Sequence, residues 1–197
     1  MLNTSRSQHP LDRNLGKGRS DVSLSAFAFL FSELVQYHQS RVSSIGDLER
    51  RLEESGYSVG LKVLELFSYR ESSSKASKRE TRLLGVLQFV SSVVWRGLFG
   101  KAADSLERSV DNPDEYMIHE QTPTTNAFVS TPLNLGQLNV AAYIAGIVAG
   151  ALNGAAFPAR VTAHTVKSET GDVAKDKTVF LVKFSREVMD RDAVFDR

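Results

Sequence analysis

The chain has 197 residues, 42% of them hydrophobic and 24% charged, the size and balance of one globular domain that buries roughly 70% of its unfolded surface. Its net charge of +1 supplies no global field for nucleic acid or an acidic membrane. The absence of cysteine excludes disulfides, cysteine–zinc sites, thiol nucleophiles and S-acylation of this chain, and without an apolar signal-peptide core in the first residues a secretory route is not expected.

Residues 1–20 carry Arg6, Arg13, Lys17 and Arg19 against Asp12 and read as a flexible basic N-terminal arm. A first helix is expected over Ser23–Arg41, where Leu24, Phe27, Ala28, Phe31, Leu34 and Val35 follow the i, i+3, i+4, i+7 rule. Phe29 and Leu30 fall off that stripe. A helix that is apolar on more than one side is either deep in the core or covered on its second side by another subunit, and both readings stand at this point. The second helix is expected over Ser44–Arg70, with Ile45, Leu48 and Leu52 early and Leu64 and Phe67 late. Gly56 and Gly60, at i and i+4, point to close packing between helices, a kink being the alternative. Ser72–Lys78 reads as a loop.

The third helix is expected over Glu80–Phe99, with Leu83, Leu84, Leu87, Val90, Val94 and Leu98 as its apolar face and Gly100 as its C-terminal cap. Arg82, Gln88 and Arg96 make it too polar to span a membrane. Asp111-Asn112-Pro113-Asp114 is a turn signal between strands at Asp104–Ser109 and Tyr116–Glu120, although Ala102–Arg108 could also prolong the helix. A nearly uncharged fourth helix starts at Leu138 and ends at Phe157-Pro158, running into an alternating strand. Gly146, Gly150 and Gly154 leave one face of it bare, which requires a close neighbouring backbone: a sheet, a partner subunit or a second membrane helix. The abrupt exit into a strand favours the sheet. Strands near Arg160–Lys167 and Thr178–Phe184 close the pattern, with Phe180, Val182 and Phe184 on one face and Val179 and Leu181 on the other; the charged segment 168–177 lies between them. The expected class is therefore α+β, a layer arrangement with an antiparallel sheet. The domain reading is an arm at 1–20, one domain at 21–191 and a tail at 192–197.

No catalytic constellation is present. His9, His38, His119 and His164 have no ligand spacing with one another, and a hydrogen-bonded structural histidine is the default for His164. Gly100-Lys101 lacks the rest of a phosphate-binding loop, and Asp111, Asp114 and Glu115 lack calcium-loop spacing. No metal and no cofactor are expected.

The segments Val22–Gln36 and Leu98–Glu107, the pairs Leu138-Asn139 and Phe157-Pro158, Ala145–Val148, Ala159–His164 and the glycines of Gly56-Tyr57-Ser58-Val59-Gly60, in this order, resemble the small subunits of the transport protein particle (TRAPP), a vesicle-tethering complex, and most nearly their subunit-five branch. The resemblance covers about Val22 to Arg191. It implies an α+β fold with helices packed on one side of a twisted four-stranded antiparallel sheet, in agreement with the class read from the pattern, and heterodimer formation with another TRAPP small subunit through the first two helices. The interface candidates are then Leu24, Phe27, Phe31, Leu34, Val35, Leu48, Leu52, Gly56 and Gly60. It also implies a non-catalytic structural role in a complex that exchanges nucleotide on a Rab GTPase in ER-to-Golgi and Golgi traffic. The expected location is cytoplasmic and peripheral at Golgi and endoplasmic reticulum membranes, with membrane contact made through the complex and no nucleic-acid partner. Segment 168–177 is longer than the branch leads one to expect. A related subunit holds an acyl chain on a cysteine, which this chain lacks. The competing reading is a carrier of a hydrophobic ligand or lipid, its cavity lined by Leu87–Leu98 and Leu138–Leu152; a free-standing enzyme has no residue support.

Overall fold

The computed structural model describes residues 21–72, 80–128, 135–167 and 176–194, so the basic arm, the loop 73–79 and most of the charged segment 168–177 lie outside the described residues. Two hairpins make the sheet, β1 (Ser105–Arg108) with β2 (Glu115–Glu120) and β3 (Ala159–Val166) with β4 (Lys177–Phe184). They join in the order β1-β2-β4-β3, antiparallel throughout. The strand alternative for Ala102–Arg108 is the one observed, because the preceding helix stops at Gly100, whose φ of 82° only glycine reaches cheaply.

The helices α1 (Leu24–Gln39), α2 (Ile45–Ser72) and α5 (Ala142–Gly154) begin and end close to the expected positions, except that α5 starts four residues later than Leu138. The expected third helix is more interesting. It opens as α3 (Leu83–Gln88), widens to a π-helical turn over Phe89–Val94 and resumes as α4 (Trp95–Phe99). The Ser91 carbonyl, released from the regular ladder by the wider turn, accepts from the Ala103 N–H at 2.9 Å, which pins the helix to the approach of β1.

A last helix, α6 (Arg186–Ala193), was not anticipated, and it crosses the boundary placed between domain and tail at 191/192. Asp192 belongs to the fold: its Oδ1 accepts from the Leu83 N–H at 2.9 Å and lies 3.3 Å from Arg82 Nε, so the end of the chain caps the start of α3.

The core lies between the sheet and the helices on its inner face. Ile118, Val161, Phe180 and Val182 from the strands meet Leu87, Val90, Trp95, Ile144, Val148 and Leu152 from the helices. Trp95 stands edge-on to Phe180 at 5.4 Å and to Phe99 at 5.2 Å. The segments offered as walls of a lipid cavity are thus taken up by the chain's own core. One carboxylate is buried with them. Glu120, 2% exposed, accepts from Trp95 Nε1 at 3.0 Å and from the Thr122 N–H at 3.3 Å, and pairs with Lys101 Nζ. The Lys101 ammonium is held above the ordinary lysine range, first by its hydrogen bond to Glu120.

The glycine stripe of α5 was expected to lie on the sheet, and the structure corrects this. The sheet meets the opposite face of α5, through Ile144, Val148 and Leu152. Gly146 and Gly150 face α2, where a methyl group on either would overlap the main chain of Glu53 or Tyr57. Gly56 and Gly60 of α2 return the contact against the main chain of Tyr143 and Ile147. Only hydrogens separate the two helices along this line, so their backbones touch.

A candidate partner interface on the first helix

Helix α1 starts at Ser23, whose Oγ accepts from the Ala26 N–H at 3.2 Å, the expected use of serine at an N-cap. One stripe of the helix turns inward. Phe31 is 3% exposed, stacks on Phe27 at 5.7 Å and meets Tyr143 of α5 at 5.3 Å. Leu34 and Val35 are half-buried on the same side. His38 Nε2 lies 3.0 Å from Ser55 Oγ and ties the end of α1 to α2. Its pKa is held below the usual histidine value by burial first, then by the charges of Arg51 and Arg41. A folded-state value below the unfolded one means stability that is present above about pH 6.5 and lost as the pH falls. The protection factors of the α1 amides, corrected for the intrinsic pH dependence of exchange, are therefore expected to fall as the pH drops below about 6.5, and His38→Gln is expected to flatten that dependence.

The other stripe of α1 is apolar too, and none of the described residues covers it. Phe29 is 77% exposed and Leu30 73%, with Tyr37, two turns further on, also in solvent. Val22 and Leu24, at the N-terminal end, are exposed as well. Two phenylalanine- and leucine-sized side chains on one open helix face are the kind of surface a partner buries.

The nine sequence candidates separate on this geometry. Leu48, Leu52, Gly56 and Gly60 form one stripe of α2 at fourfold spacing, and the two glycines show that it faces α5. Leu48 and Leu52 are at most 1% exposed. This stripe packs inside the chain, against α5. Phe31 is likewise seated inside. Phe27, Leu34 and Val35 are half-buried at the margin, and Leu24 is exposed. The sequence list omitted Phe29 and Leu30, the most open side chains of α1. Their signal was present as apolar residues off the inward stripe; the periodicity rule ranks stripes by regularity and so selected the core-facing one.

His119 and His164 sit on different strands and do not converge: His164 Nε2 is 2.8 Å from Thr162 Oγ1, and the nearest carboxylate to His119 is Glu107, at 3.5 Å. Among the described residues no group of three His, Asp or Glu is placed to hold a metal, and no helix is long and apolar enough to cross a membrane. The α5 helix, proposed in one reading as a spanning segment, has 13 residues.

Comparison with known proteins bears on this surface. Residues 27–185 match the family described as transport protein particle (TRAPP) component. The chain is 50% identical over 183 residues to trafficking protein particle complex subunit 5 of Dictyostelium discoideum, covering 93% of this chain and 96% of that protein. It is 44% identical to the human subunit 5 over 186 residues, covering 94% and 93%. A similar solved structure is that of a trafficking protein particle complex subunit 3 from Naegleria fowleri covalently bound to palmitic acid, with a TM-score of 0.66 and 21% identity over 83% of this chain and 95% of that one; it shows the shared fold. A four-stranded antiparallel sheet with helices on one face, and a match across 27–185 and to near-full-length relatives, place this chain in the TRAPP component family.

Proposed function

We propose that the chain is a non-catalytic structural subunit of a TRAPP tethering complex and joins another small subunit through the outer face of α1. The observation that carries this reading is the uncovered strip of Phe29 and Leu30, 77% and 73% exposed on a helix whose opposite face is already seated in the core. Burying such side chains is worth about 1.5–3 kcal/mol each, enough for two of them to anchor an association. The assembled complex, in this reading, acts as guanine nucleotide exchange factor for a Rab GTPase in ER-to-Golgi and Golgi traffic. It reaches those membranes peripherally, and this chain positions its neighbours instead of contributing reacting groups.

Co-expression with the other small subunits tests it. Phe29→Asp together with Leu30→Asp is expected to leave the chain folded and to abolish co-purification. Phe31→Asp is expected to unfold it, since that side chain is 3% exposed. A doubly substituted chain that still assembles at wild-type yield would sink the proposal. An exchange assay with and without this chain then reads its contribution to the complex.

A further inference from the structure

The sheet has two edges of different character. β1 is four residues long, and shortness is one of the ways proteins keep an edge from pairing. β3 is eight residues long and keeps one-to-one register with β4 from Ala159 opposite Phe184 to Val166 opposite Lys177, with no proline and no bulge. Its ladder is regular, and its one charged side chain, Arg160, lies near the start of the strand.

The direction of its main-chain groups follows from the ladder. The Phe184 N–H donates to the Asp114 carbonyl at 3.0 Å, toward β2. Alternation then turns the groups of Thr178, Phe180 and Val182 the same way and those of Lys177, Val179, Leu181 and Lys183 toward β3. Opposite these stand Val166, His164, Thr162 and Arg160. The main-chain groups of Ala159, Val161, Ala163 and Thr165 therefore point away from the sheet. Among the described residues they make no hydrogen bond, and none of them has a further partner.

A cleft of about 450 Å³ opens beside this edge between β3 and α2. Gly146 and Ala149 of α5 form its floor, Tyr57 and Glu54 stand on the α2 side, and Ala159 and Val161 on the β3 side. Arg160 reaches across one end to Glu53, with Nη1 3.3 Å from Oε2. Burial lifts the Glu53 carboxyl above its ordinary value, while Arg160 opposes that lift.

We infer that the free edge of β3 takes an extended segment of another subunit by strand addition, with every second side chain of that segment entering the cleft beside Ala149, Ala159 and Val161. A row of outward N–H and C=O groups recognises an extended main chain and nothing else so well, and the cleft alongside takes apolar side chains at alternate positions. A second copy fits less well. Antiparallel pairing of two β3 edges about a two-fold axis puts both helical layers on the same side of the joined sheet, and brings the two α2 walls together beside the seam. The inference rests on membership of a multi-subunit complex and is independent of which face of α1 is used.

Residue-resolved amide exchange, on the chain alone and on the assembly co-purified with the other TRAPP small subunits, tests it. The amides of Val161, Ala163 and Thr165 are expected to exchange rapidly in the free chain and about tenfold or more slowly in the assembly, as newly made hydrogen bonds require. Those of Arg160, Thr162 and His164, already bonded to β4, are expected to change little. Thr165→Pro removes an outward N–H without touching the β4 ladder. It is expected to leave folding and assembly intact and to cancel the added protection at Val161 and Ala163. Outward amides that exchange as fast in the assembly as alone would overturn the inference, with or without a folded Thr165→Pro chain. So would protection that survives that substitution, or protection in the isolated chain that rises with concentration together with a dimer mass. Protection of α1 on assembly, read in the same data, reports separately on the α1 interface.

Discussion

Replacing Gly150 by alanine is expected to lower the unfolding free energy by about 3 kcal/mol, the upper end for overpacking a filled site, even though alanine is the better helix former by about 1 kcal/mol. The added methyl would sit on the Tyr57 carbonyl oxygen, which belongs to the main chain of α2 and has no rotamer to escape into. Gly146 meets Glu53, Gly56 meets Tyr143 and Gly60 meets Ile147 in the same way, so any one methyl must push the two helices apart along their whole contact. For a chain of this size a loss of that order lowers the melting temperature by about 6–12 °C. Gly46 is the internal control. It lies in the first turn of α2 with nothing within 4 Å of an added methyl, and Gly46→Ala is expected to raise stability by about 0.5–1 kcal/mol. Urea unfolding of both variants checks the pair. An unchanged Gly150→Ala midpoint would mean that α2 and α5 slide apart freely, and that the backbone contact is not what joins them.

The second large effect is expected at Lys101. Lys101→Met leaves the Glu120 carboxylate, 2% exposed, with only the Trp95 indole and the Thr122 N–H as donors. Removing one partner of a buried pair costs about 3–5 kcal/mol. The lysine side chain is itself 47% exposed and two hydrogen bonds remain, so about 2–3 kcal/mol is expected here. Glu120→Gln keeps an acceptor for the indole and removes the charge, and is expected to cost less. Combining Lys101→Met with Glu120→Leu is expected to recover part of the loss, because no unpaired charge then stays in the core. The linkage has a definite sign. Lys101 is held above the ordinary lysine value, so its contribution is complete at neutral pH and fades only as the pH climbs through and past the lysine range. Denaturation midpoints flat from about pH 7 to 9 are therefore expected, with a decline above that. A steep change near neutrality would contradict the pairing.

These two variants also mark how far the residues could be read in advance. Gly56, Gly60, Gly146 and Gly150 announce that a backbone comes close, since glycine inside a helix is otherwise costly. Which backbone is not written in them. The stripe of α5 was assigned to the sheet because a strand follows it directly, and the actual neighbour, α2, lies some ninety residues earlier in the chain. Lys101 was readable as a complement to the helix end. Its partner Glu120 lies across a hairpin, and a carboxylate at the end of a polar-looking strand gives no sign of burial. The π-helical turn over Phe89–Val94 and the helix Arg186–Ala193 were likewise hidden. The first keeps helical periodicity in its residues, and the second is short, strongly charged and held by the contact of Asp192 with α3.

On α1 the sequence placed two apolar stripes on one helix, and chain geometry alone ranked them. The more regular stripe, with Phe27 and Phe31, is seated inside, and the less regular one, with Phe29 and Leu30, is left in solvent. Hydrophobicity is a property of the side chain, whereas exposure depends on which other elements arrive, so composition cannot tell core from interface where both are apolar.

By itself, then, the sequence determined the α+β class, the order of the elements from α1 to β4, the turn at Asp111–Asp114 and the helix cap at Gly100. Each is set by short-range chemistry: hydrophobic periodicity, glycine conformation and turn residues. Only the tertiary structure decided that the glycine stripes face each other, that Glu120 and Lys101 meet, that Phe29 and Leu30 are the open face of α1, and that the long edge of β3 has no partner among the described residues. Each of these depends on contacts between residues distant along the chain, which nearest-neighbour patterns do not encode.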